Sequence, residues 1–224
     1  KFKNLSFDEF KFSDLENIYM ATVIGLRDYV SKNNFPGVIL GLSGGIDSAF
    51  CAAVAVDALG KDKVEAYMLP SAYTSENSTI DAEDCANRLE INLETISISD
   101  TFLSLEESLK TSFEGLPNDI TEENLQSRIR GTILMAISNK KGKMLITTGN
   151  KSEVSVGYST LYGDMNGGFN PIKDIYKTEL YALANWRNSN LPNNILLDKK
   201  DVIPSSIISK EPTAELRDNQ KDSD

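Results

Sequence analysis

Apolar positions along the chain switch between two periods, and the switching predicts most of the architecture. Leu15, Tyr19, Thr22, Leu26 and Tyr29 recur at helical spacing behind a capping box formed by Ser13 and Glu16, and Pro36 and Gly37 end that helix. "GVILGL" (37–42) is a short continuous apolar run, of the sort buried on both faces of a parallel sheet. "DSAFCAAVAVDALG" (47–60) is Ala-rich and closes on Gly60, as a helix should. The alternation then repeats: a strand over 64–70, a helix over 78–90 capped by Ser78 and Asp81, and a strand over 91–99. A long helix over 121–142, a buried strand over 143–150 and a helix over 172–188 follow.

Strands alternating with helices of this length predict βαβ units, hence an α/β fold with an open, doubly wound, mainly parallel sheet. The 224 residues suffice for one core, so a single domain is expected. Two polar stretches with glycines, 111–124 and 156–174, read as loops, and loops at the strand ends of an open sheet are where ligands bind. Residues 1–12 place Phe2, Phe7, Phe10 and Phe12 in a segment without clear period, which reads as a linker packed against a neighbouring domain. The chain opens on Lys1 and ends in "RDNQKDSD", so it is expected to be a piece of a longer protein.

Charge and composition narrow the chemistry. A formal charge of −10 without a long basic cluster repels phosphate backbones, so no nucleic-acid partner is expected, although backbone amides can still hold a small anion. The absence of an apolar run of about 18 residues, or of a charged-then-apolar leader, predicts no membrane partner and a cytoplasmic chain. Cys51 and Cys85 lack CxxC spacing and read as small buried hydrophobes kept reduced. There is no histidine, which excludes Ser-His-Asp and Cys-His machinery and His-bearing zinc sites. What remains is carboxylates, Lys, Arg, hydroxyls, backbone amides and a hard metal ion.

The loop after the first strand, Ser43-Gly44-Gly45, turns directly into a helix at Asp47-Ser48 and presents several amides and two hydroxyls to one point. Its spacing matches neither GxxxxGK[ST] nor GxGxxG. A plain strand-to-helix turn with an Asp/Ser cap is the competing reading. Asp47 favours the anion cradle, because a carboxylate beside a phosphate nest repels it unless a cation lies between; the combination points to Mg²⁺ on a polyphosphate, and so to ATP.

Ser43-Gly44-Gly45-Ile46-Asp47-Ser48 resembles the SGGxDS loop of the ATP pyrophosphatases, which cleave ATP between the α and β phosphates. "LITTGNKSEVSVGYSTLYGD", "GGFNPIKDIYKTELYALA", "SKEPTAEL" and "DITEENLQSRIRGTILMAISN" are similar to segments of NAD synthetases, above all to the synthetase domain of the glutamine-dependent form. The resemblance implies a Rossmann-like fold of the adenine nucleotide alpha hydrolase type and a synthetase domain over 13–224, with a nitrilase-like glutaminase domain elsewhere in the parent chain. It also implies a homodimer or larger homo-oligomer. The implied reaction joins ammonia to deamido-NAD through a nicotinate adenylate, releasing AMP and pyrophosphate.

The same resemblance assigns residues. Gly41, Leu42, Ser43, Gly44, Gly45, Ile46, Asp47, Ser48, Thr148, Lys177 and Thr213 would contact ATP, and Asp47 with Glu153 would hold Mg²⁺. Asn124, Arg128 and Glu153 would contact deamido-NAD; Arg128 and Arg130, two residues apart on a helix, point in different directions, and the family pattern favours Arg128. No covalent catalytic residue is implied, because the reaction asks mainly for positioning and charge neutralisation. Leu161 stands where ammonia-dependent relatives carry Lys, and their Asp beyond the Gly-Gly pair is not reproduced in "YGDMNGGFN". Two alternatives stay open: another SGGxDS enzyme such as GMP synthetase, or a nucleotide-binding module without turnover.

Overall fold

The computed structural model describes residues 14–217, which leaves Ser13 of the expected capping box, the aromatic segment 1–12 and the polar C-terminal end outside the described residues. Helix α1 (Asp14–Lys32) buries Tyr19, Val23, Leu26 and Val30 as one stripe. Tyr29, expected on that stripe, is exposed, because the buried face runs one residue further round to Val30. Strand β1 (Val38–Gly41) follows, and α2 (Ile46–Leu59) comes directly after the glycine loop. Every residue of α2 except Asp47 is buried, which its small alanines allow by letting neighbours approach closely.

Strand β2 (Val64–Met68) leads to α3 (Glu76–Leu89). Its N-cap is Ser75, whose side chain accepts from the Ser78 amide; the expected Ser78/Asp81 cap is thus displaced by one turn. Ser78 and Asp81 are buried, and Asp81 accepts from the Ser206 hydroxyl at 2.5 Å. Strand β3 (Asn92–Thr95) is shorter than the expected 91–99, because Ser99 already begins α4 (Ser99–Leu109), a helix the periodicity did not reveal. No residue of α4 is fully buried; Phe102 packs against the second core, whereas Leu103 and Leu105 are exposed.

Helix α5 (Ile120–Lys141) starts with a capping box between Asp119 and Glu122 and ends on Gly142 in the left-handed region. After β4 (Met144–Ile146) come the short α6 (Lys151–Val156), then α7 (Lys177–Ser189) and α8 (Ser205–Ser209). The expected helix over 172–188 therefore begins only at Lys177.

All four strands are parallel, in the order β3-β2-β1-β4. Residues 167–169 run alongside β4, with the Gly168 amide donating to Leu145 O at 2.8 Å and the Thr147 amide to Phe169 O at 3.0 Å. Alternate strand residues feed two cores: Val38, Leu40, Ala66 and Ile146 pack with α1, α2, α3 and α7, whereas Ile39, Tyr67 and Leu145 pack with Ile129 and Leu134 of α5 and with Ile98. The chain thus winds from β1 outward to β3 under one face, then crosses to β4 under the other. The order reverses between β1 and β4, and ligands of open α/β sheets bind in the crevice at that point. No described helix is long and apolar enough to cross a membrane.

Candidate functional site

A cleft of about 390 Å³ opens at that reversal, between the carboxyl ends of β1 and β4. Its floor is the loop from β1 to α2. The Ser43 amide donates to Ser48 Oγ at 3.2 Å, the two hydroxyls lie 3.2 Å apart, and Ser48 Oγ donates to Gly45 O at 3.0 Å. The loop is held open by its own hydroxyls at the start of α2, where orphan amides and the helix dipole favour an anion. Gly44 has φ +80°, and a Cβ there would lie 2.3 Å from Ser78 O, so only glycine lets the loop sit this close to α3.

Asp47 is the pivot. Its Oδ1 accepts from Asn150 Nδ2 at 2.7 Å, and its Oδ2 is paired with the Lys177 ammonium. Asn150 is fully buried at the end of β4 and caps α6: its side chain accepts from the Glu153 amide at 3.0 Å while its own amide donates to Glu153 Oε2 at 2.9 Å. Asn150 therefore holds both acids, the Asp47 carboxylate through its side-chain amide and the Glu153 carboxylate through its backbone amide. Burial alone would lower the Lys177 pKa, but the Asp47 carboxylate, its hydrogen bond and the Glu153 charge together hold it above the ordinary value. Lys177 is the first residue of α7 and its amide donates to Ser152 Oγ at 3.1 Å, which ties α7 to α6.

Helix α5 forms the opposite wall. Asn124, Ser127 and Arg130 line the cleft, with Asp164 brought in from the loop after α6. Ser127 Oγ donates to Asp164 Oδ1 at 2.8 Å, and burial pushes the Asp164 carboxyl above the ordinary range despite Arg130 nearby. Residues 210–216, Thr213 among them, complete the rim. The cysteines take no part: burial, with Asp47 and Glu153 close by, raises the Cys51 thiol well above its usual value, and burial pushes Cys85 up to about 12.

Of the residues singled out from sequence, Gly41, Leu42, Ser43, Gly45, Ile46, Asp47, Ser48, Asn124, Thr148, Glu153, Lys177 and Thr213 all line this cleft. Gly44 faces Ser78 rather than the open space. Arg128 lies off the cleft and donates to Leu161 O at 3.2 Å, because it stands about 200° round the helix from Arg130. The sequence singles out none of Ser127, Asp164 and Asn150, and it offers Arg130 only as the alternative to Arg128. Only the "RIR" spacing, which allows one arginine inward, hinted at any of them.

In this structure Asp47 Oδ2 is met by the Lys177 ammonium and Glu153 is a second carboxylate lining the cleft; Mg²⁺ commonly takes one or two carboxylates and completes its shell with water and phosphate oxygens. Among the described residues no group of three or more His, Cys, Asp and Glu side chains gathers as a self-sufficient metal cage.

The NAD synthase family profile matches residues 18–224. The glutamine-dependent NAD(+) synthetase of Rhodobacter capsulatus is 53% identical over 211 residues, which is 94% of this chain and 38% of that protein. The structure of glutamine-dependent NAD+ synthetase from Acinetobacter baumannii in complex with adenosine diphosphate superposes with a TM-score of 0.84 at 48% identity, covering 91% of this chain and 37% of the other. NMN synthetase from Francisella tularensis gives a TM-score of 0.80 at 27% identity, over 94% of this chain and 80% of that one. The chain thus spans less than two fifths of its glutamine-dependent relatives.

Proposed function

The chain belongs to the NAD synthase family, and on that premise we propose that it amidates deamido-NAD to NAD at the expense of ATP, using free ammonia as the nitrogen donor to this part of the protein. The nicotinate carboxylate attacks the α-phosphorus of ATP, pyrophosphate leaves, and ammonia then displaces AMP from the adenylate while losing a proton. The observation that carries this reading is the junction at Asp47: an anion-binding helix start and an acid fastened to the far side of the crevice by Asn150.

Ser43, Gly45 and Ser48 receive the pyrophosphate half of ATP at the start of α2, flanked by Thr148 and Thr213. Asp47 and Glu153 would hold Mg²⁺, which when bound neutralises the polyphosphate and favours departure of pyrophosphate. Lys177 supplies a fixed cation in a chain whose overall charge repels its substrates. Asn124 and Arg130 bind the dinucleotide from α5, in the place first assigned to Asn124 and Arg128. Alignment of two anionic substrates is most of the catalysis, which is why histidine is dispensable.

The ADP complex of the Acinetobacter relative supports the nucleotide assignment. Glutamine dependence in the relatives, set against the share of them that this chain spans, supports a nitrilase-like glutaminase domain outside these residues that feeds ammonia to this part. The two free, buried cysteines fit the reducing cytoplasm.

The test is NAD formation from deamido-NAD, ATP and Mg²⁺ with ammonium chloride or with glutamine, alongside nicotinate mononucleotide as acceptor. Product from deamido-NAD with ammonium alone is expected. Product only from the mononucleotide would replace this reading with the one suggested by the Francisella likeness, and product with glutamine unaided would overturn the assignment of the nitrogen source.

A further inference from the structure

Segment 210–217 crosses the mouth of the cleft from α3 to α5, and one side chain holds its α3 end. The Glu215 carboxylate accepts from the Ser75 amide at 3.1 Å, from Ser75 Oγ at 2.8 Å and from Ser78 Oγ at 2.7 Å, with Lys210 Nζ at 3.5 Å. Lys210 also bonds Ser78 Oγ. At the α5 end, Gln126 Nε2 donates to Leu216 O at 3.0 Å and Arg217 pairs with Glu123 at 3.6 Å. Glu215 itself stands at φ 51°, a strained backbone that persists only where surrounding bonds over-determine it.

Two features link this clamp to the nucleotide side of the cleft. The Glu215 amide donates to Thr213 Oγ1 at 3.3 Å, so the strained turn orients that hydroxyl. Ser78, whose hydroxyl Glu215 holds, has its carbonyl pressed against Gly44 of the loop that starts α2. The approach is too close for even a Cβ at Gly44, so a shift of Ser78 toward the loop must move it.

We infer that Glu215 is a positioning residue for ATP: by clamping 210–217 to the start of α3 it sets both Thr213 and, through Ser78, the loop at Gly44. The inference rests on the ATP reading above and adds to it a cleft-lining residue whose carboxylate is taken by Ser75 and Ser78. Burial would raise the Glu215 carboxyl, but its bonds to Ser78 and Ser75 and the charge of Lys210 outweigh that and hold it below the usual range, so the clamp is charged at neutral pH. The hydrogen bond and ion pair to α5 run through Leu216 and Arg217, and Glu215 reaches that wall only through its charge, felt at Arg130, so its loss should act mainly on the ATP side.

The experiment compares the wild-type chain with Glu215→Ala and Glu215→Gln by calorimetric titration with Mg-ATP, steady-state kinetics for both substrates, thermal unfolding, and trypsin cleavage after Lys210 followed by mass spectrometry. Losing bonds to a charged acceptor is expected to weaken ATP binding and raise its KM about tenfold in Glu215→Ala. The KM for deamido-NAD should hold, cleavage at Lys210 should accelerate, and Glu215→Gln should fall between, because its amide oxygen keeps part of the acceptor set. Unchanged ATP affinity despite faster cleavage would overturn the inference, as would equal rises in both KM values accompanied by a lower unfolding temperature. If Glu215→Ala fails to fold, Glu215→Gln carries the same test. Weaker ATP binding in the variants of a chain that forms no NAD would uphold the clamp and sink the proposed function instead.

Discussion

Asn150 Nδ2 donates to Asp47 Oδ1 at 2.7 Å across the reversal point of the sheet, joining residues 103 positions apart in the chain. Asn150 is 0% exposed, so its own packing holds the donor in place and fixes the orientation of the acid at the start of α2.

Replacing Asp47 by Asn should leave the fold intact and remove most adenylation, a loss of at least about a hundredfold in pyrophosphate release if the carboxylate orients charge in the transition state. Asn150→Ala acts one step back and should cost about 10–100-fold in apparent Mg²⁺ affinity. Magnesium titration of pyrophosphate release checks both, and a wild-type Mg²⁺ response in Asn150→Ala would refute the coupling.

Gly44→Ala and Gly45→Ala should part company. The first places a Cβ 2.3 Å from Ser78 O at φ +80° and should cost about 1–3 kcal/mol. The second meets nothing nearer than Ser43 Oγ at 3.4 Å, at φ −96°, and should cost under about 1 kcal/mol. Urea unfolding of the two variants measures the difference.

Arg130→Ala should raise the KM for deamido-NAD about tenfold or more by removing a charged donor from the cleft. Arg128→Ala, which removes a tether to Leu161, should leave that KM near the wild-type value. The reverse ranking in steady-state assays would return the substrate contact to Arg128.

Far from the cleft, Arg187 and Asp57 form a buried pair, with bonds of 2.7 and 3.1 Å, and Tyr19 OH donates to the same carboxylate at 2.5 Å. Arg187→Met strands the Asp57 charge and should cost about 3–5 kcal/mol in chemical denaturation.

Glu65 supplies a pH signature. Burial would raise its carboxyl, but bonds from Lys141, Lys143 and Tyr67 bring it down from 4.5 to about 2. Because the folded value is the lower one, this group's stabilisation is complete above about pH 4.5 and is lost as pH falls toward 2. Unfolding free energy measured through that window should fall less steeply in Glu65→Gln than in wild type.

How much of this was legible beforehand can be judged residue by residue. The parallel sheet, the helix after the glycine loop and the anion cradle with its acid were all readable, because each depends on neighbours within a few positions: apolar period, small residues, and amides freed at a helix start. The helix over 99–109 was not, because its start follows β3 so closely that the strand read from 91 ran on to Ser99. The shift of the α3 cap from Ser78 to Ser75 was not either, because Ser78 is spent on Glu215 and Lys210 from the other end of the chain.

By itself, then, the sequence of this protein determined most of its elements, its fold class and the chemistry of one loop. Strand order and the crossing of the chain between β1 and β4 decided the rest: that Asp47 meets Asn150 and Lys177, that Arg130 rather than Arg128 turns inward, and that Glu215 returns to Ser75. The physical reason is range. Periodicity and capping act through bonds a few residues long, whereas these pairings exist only once two buried faces have fixed which strands lie side by side.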